Sequence, residues 1–300
     1  MHEAEQPTEK RAFYSGFVDF TDRHWKPLTF VGIIILILSA GVLAMNLVNT
    51  GSFMERDFEL TGGKQIEIAL NGTHDINVVR AALPGALVSI VSGLQQNLLV
   101  ETDVTANETE IFATLNSLGI SGSHSIRTIG PVLGELFWRQ TQIAIIAAFI
   151  LMSVVVFILF RTFTPSATIV FCAITDAAFA LAVLSLFGTQ LSMAVLAGTL
   201  MLIGYSVDTD IVLTTEVLRG SRKDVSRHIR TAAKTGLTLT IAALAALGTM
   251  YMISGSIVIR EIALVLIIGL LADIPTTWLT NGGILRWYIE RKERKAATIE

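Results

Sequence analysis

The sequence predicts an all-α membrane bundle of six transmembrane helices, with an α+β extracytoplasmic domain inserted between the first and second helices. Apolar residues make up 52% of the 300 residues and charged residues 16%. The mean hydropathy is +0.62, which is too apolar for an ordinary soluble domain of this length. Six apolar segments have about the length of a membrane span. A polar stretch that mixes strand and helix patterns separates the first segment from the other five.

The chain begins with a polar segment and a single predicted span. Residues 1–27 carry charges of both signs and no apolar run, so we expect a solvated cytoplasmic segment. The first span is predicted at 28–48, because about 20 apolar residues at 1.5 Å each match a hydrocarbon core of about 30 Å. The apolar run continues past the small residues at 39–41, which favours an uncleaved anchor over a signal peptide.

The polar stretch at 49–139 is predicted to fold as one small domain. Its strand and helix patterns follow the order β-α-β-β-α-β, which is typical of a ferredoxin-like domain. Thr105 and Glu108 have the spacing of a capping box, so we expect Thr105 to begin the second helix, which should stop at Gly119. The predicted strands are at 65–70, 87–91, 98–102 and 123–129, and the first predicted helix is at 76–83.

The other five apolar segments are predicted to form one bundle at 140–285, because most of the connections between them are very short. A cytoplasmic polar loop at 214–236 and a cytoplasmic tail at 286–300 are the longer polar segments. The five spans are predicted at about 142–160, 166–186, 191–213, 237–253 and 257–284.

The distribution of positive charge predicts the orientation of the chain. Cytoplasmic loops of membrane proteins carry an excess of Lys and Arg. With both termini in the cytoplasm, sixteen of the 22 lysines and arginines lie on the cytoplasmic side. The opposite orientation would place the basic loops on the wrong face, so we expect cytoplasmic N- and C-termini.

Four aspartates inside the predicted spans are candidates for a proton relay: Asp176, Asp208, Asp210 and Asp273. A charged side chain in hydrocarbon costs about 2.5–3.5 kcal/mol, so each needs a reason to be there. They could bind and release protons or sodium, or they could only hydrogen-bond Ser and Thr of neighbouring helices. Glu261, near the outer surface, is expected to face water.

Enzyme motifs are missing from the sequence. It contains no Gly-rich loop ending in Gly-Lys-Ser/Thr, no cluster of His and Cys, and no plausible Ser-His-Asp grouping. We therefore predict no enzymatic activity, no cofactor and no metal site. The net charge of −3 gives no indication of nucleic acid binding.

Three motifs and Asp176 resemble those of a known family. The motifs are DFELTGG at 57–63, GPVLGEL at 130–136 and GYSVDTD at 204–210. Together they resemble the SecF protein-export membrane family, and the third is the most specific. Asp176 matches the acidic residue of that family's third span. The motif residues are Asp57, Phe58, Gly62, Gly63, Gly130, Pro131, Gly134, Gly204, Tyr205 and Ser206.

The third motif departs from the bacterial form of the family. Bacterial members usually have Asn-Asp-Thr/Ser after Gly-Tyr-Ser-x, and then a run close to Asp-Arg-Ile-Arg-Glu-Asn. This chain instead has Asp-Thr-Asp at 208–210 and Thr-Glu-Val-Leu-Arg at 215–219, which resembles the archaeal form. Whether Arg219 takes the role of the bacterial arginine stays open.

The resemblance implies an accessory subunit of the Sec translocase that works with SecD in the cytoplasmic membrane. Its further partners would be the translocon channel, the translocating preprotein and membrane lipid, and its energy source a proton or sodium gradient. The alternative is a half-transporter of the resistance-nodulation-division type that exports a lipid or a small hydrophobic compound. A third hypothesis is a scaffold in which the acids are only structural. The outer domain occurs once and is small for an export tunnel, which favours the first.

Overall fold

The structure is a computed structural model that describes residues 24–70, 72, 74–92, 96–220 and 225–297. Most of the predicted N-terminal segment, residues 1–23, lies outside the described residues. A four-stranded α+β domain follows the first long helix, and the helical segments after that domain form a bundle with the first helix. The elements of the α+β domain, called the outer domain below, are α2 (Phe58–Thr61), β1 (Gly63–Leu70), α3 (Ile76–Ala82), β2 (Leu87–Ser92), β3 (Gln96–Thr102), α4 (Glu108–Ser117) and β4 (His124–Ile129).

The helices of the bundle are longer than most of the predicted spans. A short helical stretch at 24–28 precedes the first of them. The bundle helices are α1 (Val31–Thr50), α5 (Pro131–Phe160), α6 (Phe163–Leu186), α7 (Met193–Arg219), α8 (Val225–Ile253), α9 (Ile257–Pro275), a π-helical segment (Thr276–Asn281) and α10 (Gly282–Ala297).

The outer domain is built on an antiparallel sheet with the strand order β2-β3-β1-β4. One face of the sheet packs against α3 and α4 through apolar side chains such as Ile66, Val79 and Leu115. The opposite face carries a polar row, because the register places Gln65 of β1 between Glu101 of β3 and Arg127 of β4. The elements occur in the predicted order, with strand and helix boundaries within a few residues of prediction.

The predicted cap of the second domain helix is wrong. The N-cap of α4 is Asn107, whose side chain accepts a hydrogen bond from Thr109 N at 3.1 Å. Thr105 instead bonds Asp103 through both its N–H and its hydroxyl. The Asp103 carboxylate therefore competes for the residue that the capping-box spacing selected.

Several helices extend beyond the apolar segments that hydropathy detects. α5 begins at Pro131 rather than near 142. α7 and α8 reach into the predicted polar loop at 214–236, since α7 ends at Arg219 and α8 is described from Val225. The tail predicted from 286 continues α10 to Ala297. Hydropathy reports the length of chain that suits hydrocarbon, whereas a helix continues into water wherever its backbone hydrogen bonds remain satisfied.

Among the described residues, five helices are long and apolar enough to cross a membrane: His24–Thr50, Pro131–Phe160, Phe163–Leu186, Met193–Arg219 and Val225–Ile253. Large apolar side chains on α1 and α5, such as Ile37 and Leu151, are exposed and suit contact with lipid. The sixth predicted span, 257–284, forms α9, the π-helical segment and the start of α10. α9 carries three charged residues, Arg260, Glu261 and Asp273. The count of six spans stays a prediction.

The centre of the bundle consists of α6, α7 and α9, which pack against one another. Half of the most apolar part of α6 and of α7 is buried, against 6% of that part of α5. The predicted acidic residues all lie on these three central helices. The bundle core therefore encloses three of the four acids that the sequence selected, Asp176, Asp210 and Asp273.

Candidate functional site: a buried carboxyl cluster

Three of the four predicted acids converge in the centre of the bundle. Asp176 of α6, Asp210 of α7 and Asp273 of α9 are each fully buried. Asp273 interacts electrostatically with both of the others. Asp208 does not join them, because it lies on an exposed face of α7. We call Asp176, Asp210 and Asp273 the carboxyl cluster.

Both oxygens of Asp176 accept hydrogen bonds from hydroxyl groups of other segments. Ser206 Oγ donates to Oδ2 at 2.6 Å, and Thr276 Oγ1 donates to Oδ1 at 2.7 Å. Ser206 belongs to α7 and Thr276 to the π-helical segment. Asp176 is therefore the point at which three segments of the bundle meet.

Asp210 and Asp273 share the hydroxyl group of Thr277. Thr277 Oγ1 lies 2.9 Å from Asp210 Oδ1 and 2.9 Å from Asp273 Oδ1. A threonine hydroxyl has one proton, so it can donate to only one of them and must accept from the other. Protonation of one of the two carboxyl groups would therefore let the hydroxyl group hydrogen-bond with both.

The cluster has more acceptors than donors. Asn281 Nδ2 donates to Asp210 Oδ1 at 2.7 Å. Asp210 Oδ2, Asp273 Oδ2 and Asn281 Oδ1 are buried and have no hydrogen-bond partner among the described residues. An unsatisfied buried polar atom costs about 1–3 kcal/mol. Protonation of a carboxyl group would reduce this imbalance, so the arrangement suits groups that take up and release a proton.

The π-helical segment supplies donors that the sequence analysis missed. Pro275 has no N–H and follows Asp273 by two residues, and the helix widens immediately after it. Thr276, Thr277 and Asn281 are then fully buried at the cluster. The signal that could have found them is a run of Thr and Asn directly after a proline in an apolar segment. Single-turn π-helices are frequent at functional sites.

The third motif, GYSVDTD, contributes residues to two faces of α7. Ser206 and Asp210 face the carboxyl cluster, whereas Gly204, Tyr205 and Asp208 are exposed. α7 continues without interruption past Gly204, from Met193 to Arg219. The motif therefore contributes Asp210 to the buried carboxyl cluster and Asp208 to an exposed face of the same helix.

The other two motifs form a close crossing between the outer domain and α5. Gly62 has φ +85°, and a Cβ on it would lie 2.5 Å from Pro131 Cα. A Cβ on Gly134 would lie 2.6 Å from Gly62 N. Gly130 is the N-cap of α5 and Pro131 its first residue. We call this contact the glycine crossing; it fixes α2 to the first turn of α5.

The remaining motif residues lie at the start of α2 and β1. Asp57 is the N-cap of α2 and accepts a hydrogen bond from Phe58 N at 2.6 Å, and Phe58 is buried. A Cβ on Gly63 would lie 2.9 Å from Thr102 O of β3. The first motif thus caps one helix and lets two strands approach closely.

A cavity of about 400 Å³ lies between part of the outer domain and the bundle. Acidic and basic side chains line it, and Asp57 and Glu101 lie close enough to interact. Burial, and secondarily the Glu101 carboxylate, raises the pKa of Asp57 to about 8. Burial also raises the pKa of Glu101. A second set of carboxyl groups with altered proton affinity therefore lies at this junction.

Glu261 does not simply face water as expected. It is partly buried at the start of α9 and accepts a hydrogen bond from Ser192 Oγ, the N-cap of α7. Ser192 Oγ also accepts a hydrogen bond from Val195 N at 3.1 Å. Glu261 therefore joins the first turns of α7 and α9.

Within the described part of the chain, no group of three or more His, Cys, Asp or Glu residues is arranged to hold a metal ion. The contacts of the carboxyl cluster are hydroxyl and amide groups. The described groups that contact its carboxyl oxygens are therefore uncharged.

The fold and the site define a multi-pass membrane protein with buried carboxyl groups, and comparisons place it in a family. Residues 112–291 match the family described as protein export membrane protein SecD/SecF, C-terminal. The protein-export membrane protein SecF of Pyrococcus furiosus is 36% identical, with 90% of this chain and 91% of that protein covered. SecF of Methanothermobacter thermautotrophicus is 35% identical, with 91% and 96% covered. The chain belongs to the SecD/SecF family of protein-export membrane proteins.

A solved structure shares the fold. The crystal structure of SecDF, a translocon-associated membrane protein from Thermus thermophilus, superposes with a TM-score of 0.72 at 19% sequence identity. The alignment covers 88% of this chain and 38% of the SecDF chain. A second SecDF structure, in the super-membrane-facing form, gives a TM-score of 0.61 at 20% identity, with 91% and 39% covered. This chain therefore spans under half the length of the SecDF chain.

Proposed function

We propose that this chain is the SecF-like accessory subunit of a Sec translocase, which acts with SecD to promote preprotein export across the cytoplasmic membrane. The proposed energy source is the proton or sodium gradient. The observation that carries the proposal is the full burial of Asp176, held by hydroxyl groups from two other segments. Membership of a protein-export family supports export as the process and does not favour a half-transporter for small compounds.

The proposed cycle uses the carboxyl cluster as the driver and the outer domain as the effector. A proton that binds the cluster neutralises one carboxyl group and changes which hydroxyl groups donate to it. Because these hydroxyls belong to α7 and the π-helical segment, the change shifts the packing of the central helices. One charge that crosses 100 mV delivers about 2.3 kcal/mol, which is comparable to the hydrogen bonds that must rearrange.

A membrane partner is part of the proposal, because Asp208 lies exposed on α7. A carboxylate on a lipid-facing surface would be costly unless protein or water covers it. A second membrane protein that provides a hydrogen-bond donor or a cation would satisfy it. We propose SecD as that partner, with the translocon channel, the translocating preprotein and surrounding lipid as the further contacts of the complex.

The finer features of the fold belong to the same proposal. We infer that α9 is a sixth span, since its charges lie near its two ends and its middle is apolar. We also infer that the outer domain is ferredoxin-like, which its sheet order β2-β3-β1-β4 supports. Both termini would be cytoplasmic and the outer domain extracytoplasmic, as the distribution of Lys and Arg indicates.

The test is preprotein export into vesicles that contain the complete complex, with and without an imposed gradient. Asp176→Asn keeps the shape of the side chain but removes its ability to ionise. We expect the variant to lose the stimulation by the gradient and to keep the export seen without it. The matched control is Asp75→Asn, which removes an exposed carboxylate but retains an equally good N-cap for α3.

Each outcome separates the hypotheses. If Asp176→Asn exports with unchanged gradient dependence, the acids are structural and the chain acts as a scaffold. If preprotein export is unchanged in the absence of this chain, and a hydrophobic compound accumulates in its absence, the half-transporter hypothesis replaces the export role.

A further inference from the structure

Glu59 joins the outer domain to the first turn of α7. Its Oε1 lies 3.2 Å from Arg127 Nη1 of β4, and its Oε2 accepts a hydrogen bond from Met193 N at 3.3 Å. Met193 is the first residue of α7. One side chain on the short helix α2 therefore touches both the sheet and the bundle.

The contact with Met193 suits the start of a helix. The first N–H groups of an α-helix have no partner within the helix, and a negative charge near them is favourable. Ser192 accepts a hydrogen bond from Val195 N, and Glu59 accepts one from Met193 N. Glu59 thus supplies the first turn of α7 with an acceptor that belongs to another domain.

The contact with Arg127 ties Glu59 to the middle of the sheet. Arg127 Nη2 donates to Gln65 Oε1, and Gln65 Nε2 donates to Glu101 Oε1 at 3.0 Å. These residues lie side by side on β4, β1 and β3, and Gln65 is buried. A displacement of Glu59 would therefore disturb hydrogen-bonded side chains on three strands.

The helix α7 connects this contact with the carboxyl cluster. It runs without interruption from Met193 to Ser206, a distance of about 20 Å at 1.5 Å per residue. Ser206 Oγ donates to Asp176 Oδ2. A change at Asp176 that moves Ser206 would move Met193 in the same rigid helix.

The surroundings of Glu59 leave room for such a movement. The cavity of about 400 Å³ lies beside it, between the outer domain and the bundle. On α5, the glycine crossing holds α2 against backbone, with Gly62 close to Pro131 and Gly134. The outer domain thus has a close backbone attachment at α5. At the start of α7 it is attached by backbone hydrogen bonds of Leu191 with Glu55 and Asp57 and by the side chain of Glu59.

We propose that Glu59 is the positioning residue that transmits displacement of α7 to the outer domain, with the glycine crossing as the pivot. This inference rests on the proposed function, in which the carboxyl cluster drives movement of the outer domain. It assigns the link between the sheet and α7 to one carboxylate and its two contacts, beside the backbone hydrogen bonds that join Leu191 to Glu55 and Asp57 ahead of α2.

The test is a double-mutant cycle in the purified complex, read as the distance between spin labels on the outer domain and the bundle. Cysteines for labelling replace the exposed residues Glu110 and Met252, and the native Cys172 is fully buried. Asp176→Asn mimics the protonated acid. We expect it to shift the distance distribution when Glu59 is present, and to cause no shift when combined with Glu59→Ala.

The outcomes distinguish the inference from the function on which it rests. If Asp176→Asn causes no shift in the otherwise native chain, the cluster does not drive the outer domain and both are wrong. If the shift occurs and persists with Glu59→Ala, the driver stands and transmission through Glu59 is wrong. A merely structural role of Glu59 would change the starting distance but leave the shift intact.

Two further variants guard against misfolding. Glu59→Gln keeps an acceptor for Met193 N without the charge and should give a partial shift. Glu55→Ala is the matched control, because Glu55 lines the same cavity, is exposed, and makes no side-chain hydrogen bond with the described residues. It should leave the full shift. Loss of the shift in Glu55→Ala would contradict a specific role for Glu59.

Discussion

At the scale of single residues, two sets of buried carboxyl groups differ in their surroundings. The carboxyl cluster in the bundle is held by the hydroxyl groups of Ser206, Thr276 and Thr277. The set at the junction with the outer domain is near Arg127 but also contains the close pair Asp57 and Glu101. Burial, and secondarily the nearby like charges, raises the pKa values of Asp57 and Glu101 and so disfavours full ionisation of the second set.

Asp57→Asn should change how the stability of the outer domain depends on pH. Burial raises the pKa of Asp57 to about 8, so between about pH 4 and pH 8 the unfolded chain loses this proton before the folded one. The stability that Asp57 contributes is therefore full below pH 4 and is lost as the pH rises through 8. Asparagine still caps α2 but has no proton to lose.

The measurement for Asp57→Asn is the free energy of opening of β1 and β4, from hydrogen exchange between pH 5 and pH 9. The variant should show a flatter pH dependence than the native chain and should be the more stable of the two above pH 8. An identical slope in both proteins would show that Asp57 does not titrate as described.

At the scale of elements, the glycine crossing fixes the position of the outer domain. Gly134→Ala places a Cβ 2.6 Å from Gly62 N and 2.9 Å from Thr61 C, which backbone atoms cannot avoid without moving apart. We expect the variant to destabilise the contact between α2 and α5 by about 1–3 kcal/mol, as overpacking does. Proteolysis at 58–63 in the folded protein should become faster.

The control for the glycine crossing is Gly41→Ala. Gly41 lies within α1 and nothing lies within 4 Å of its Cβ position. Since alanine favours a helix by about 1 kcal/mol over glycine, this variant should be as stable as the native chain or more so. Equal protease sensitivity of Gly134→Ala and Gly41→Ala would contradict the crossing.

The elements that the sequence predicts best are those whose apolar residues recur with a strong period. The order of strands and helices in the outer domain follows from alternation and helical spacing, and each predicted apolar segment overlaps a long helix. The ends of α5, α7 and α8 could not be found this way, since polar turns extend them outside hydrocarbon. The capping-box spacing at Thr105 misled, because Asp103 competes for that residue.

The candidate site was predicted in part. The free-energy cost of a charged side chain in the membrane selects Asp176, Asp210 and Asp273 as candidates, because such a side chain is retained there only where it has a structural or functional role. The same cost selects Asp208, which the structure places on an exposed face. Sequence alone could not separate it from the others, since packing decides which face of a helix meets its neighbours. The donors Thr276, Thr277 and Asn281 were missed, because a π-helix shifts the face on which residues lie and period-based reasoning assumes 3.6 residues per turn.

At the scale of the whole molecule, the carboxyl cluster lies at the centre of the bundle. The helices α1 and α5, few of whose residues are buried, lie outside it.

The predicted orientation can be tested with cysteines, because Cys172 is fully buried. An impermeant thiol reagent should label Glu110→Cys in intact cells. It should label the exposed Glu290→Cys only after the membrane is opened. The native chain, with Cys172 alone, is the control, and labelling in the reverse order would overturn the orientation.

The central claim is that the carboxyl cluster takes up a proton inside the bundle. The direct measurement is infrared difference spectroscopy of the purified complex in lipid as the pH is changed, in which a buried protonated carboxyl group gives a distinct C=O stretch. We predict that this band changes in Asp176→Asn and in Asp210→Asn, and that it is unchanged in the exposed-carboxylate control Asp75→Asn. A native spectrum in both cluster variants would contradict the account.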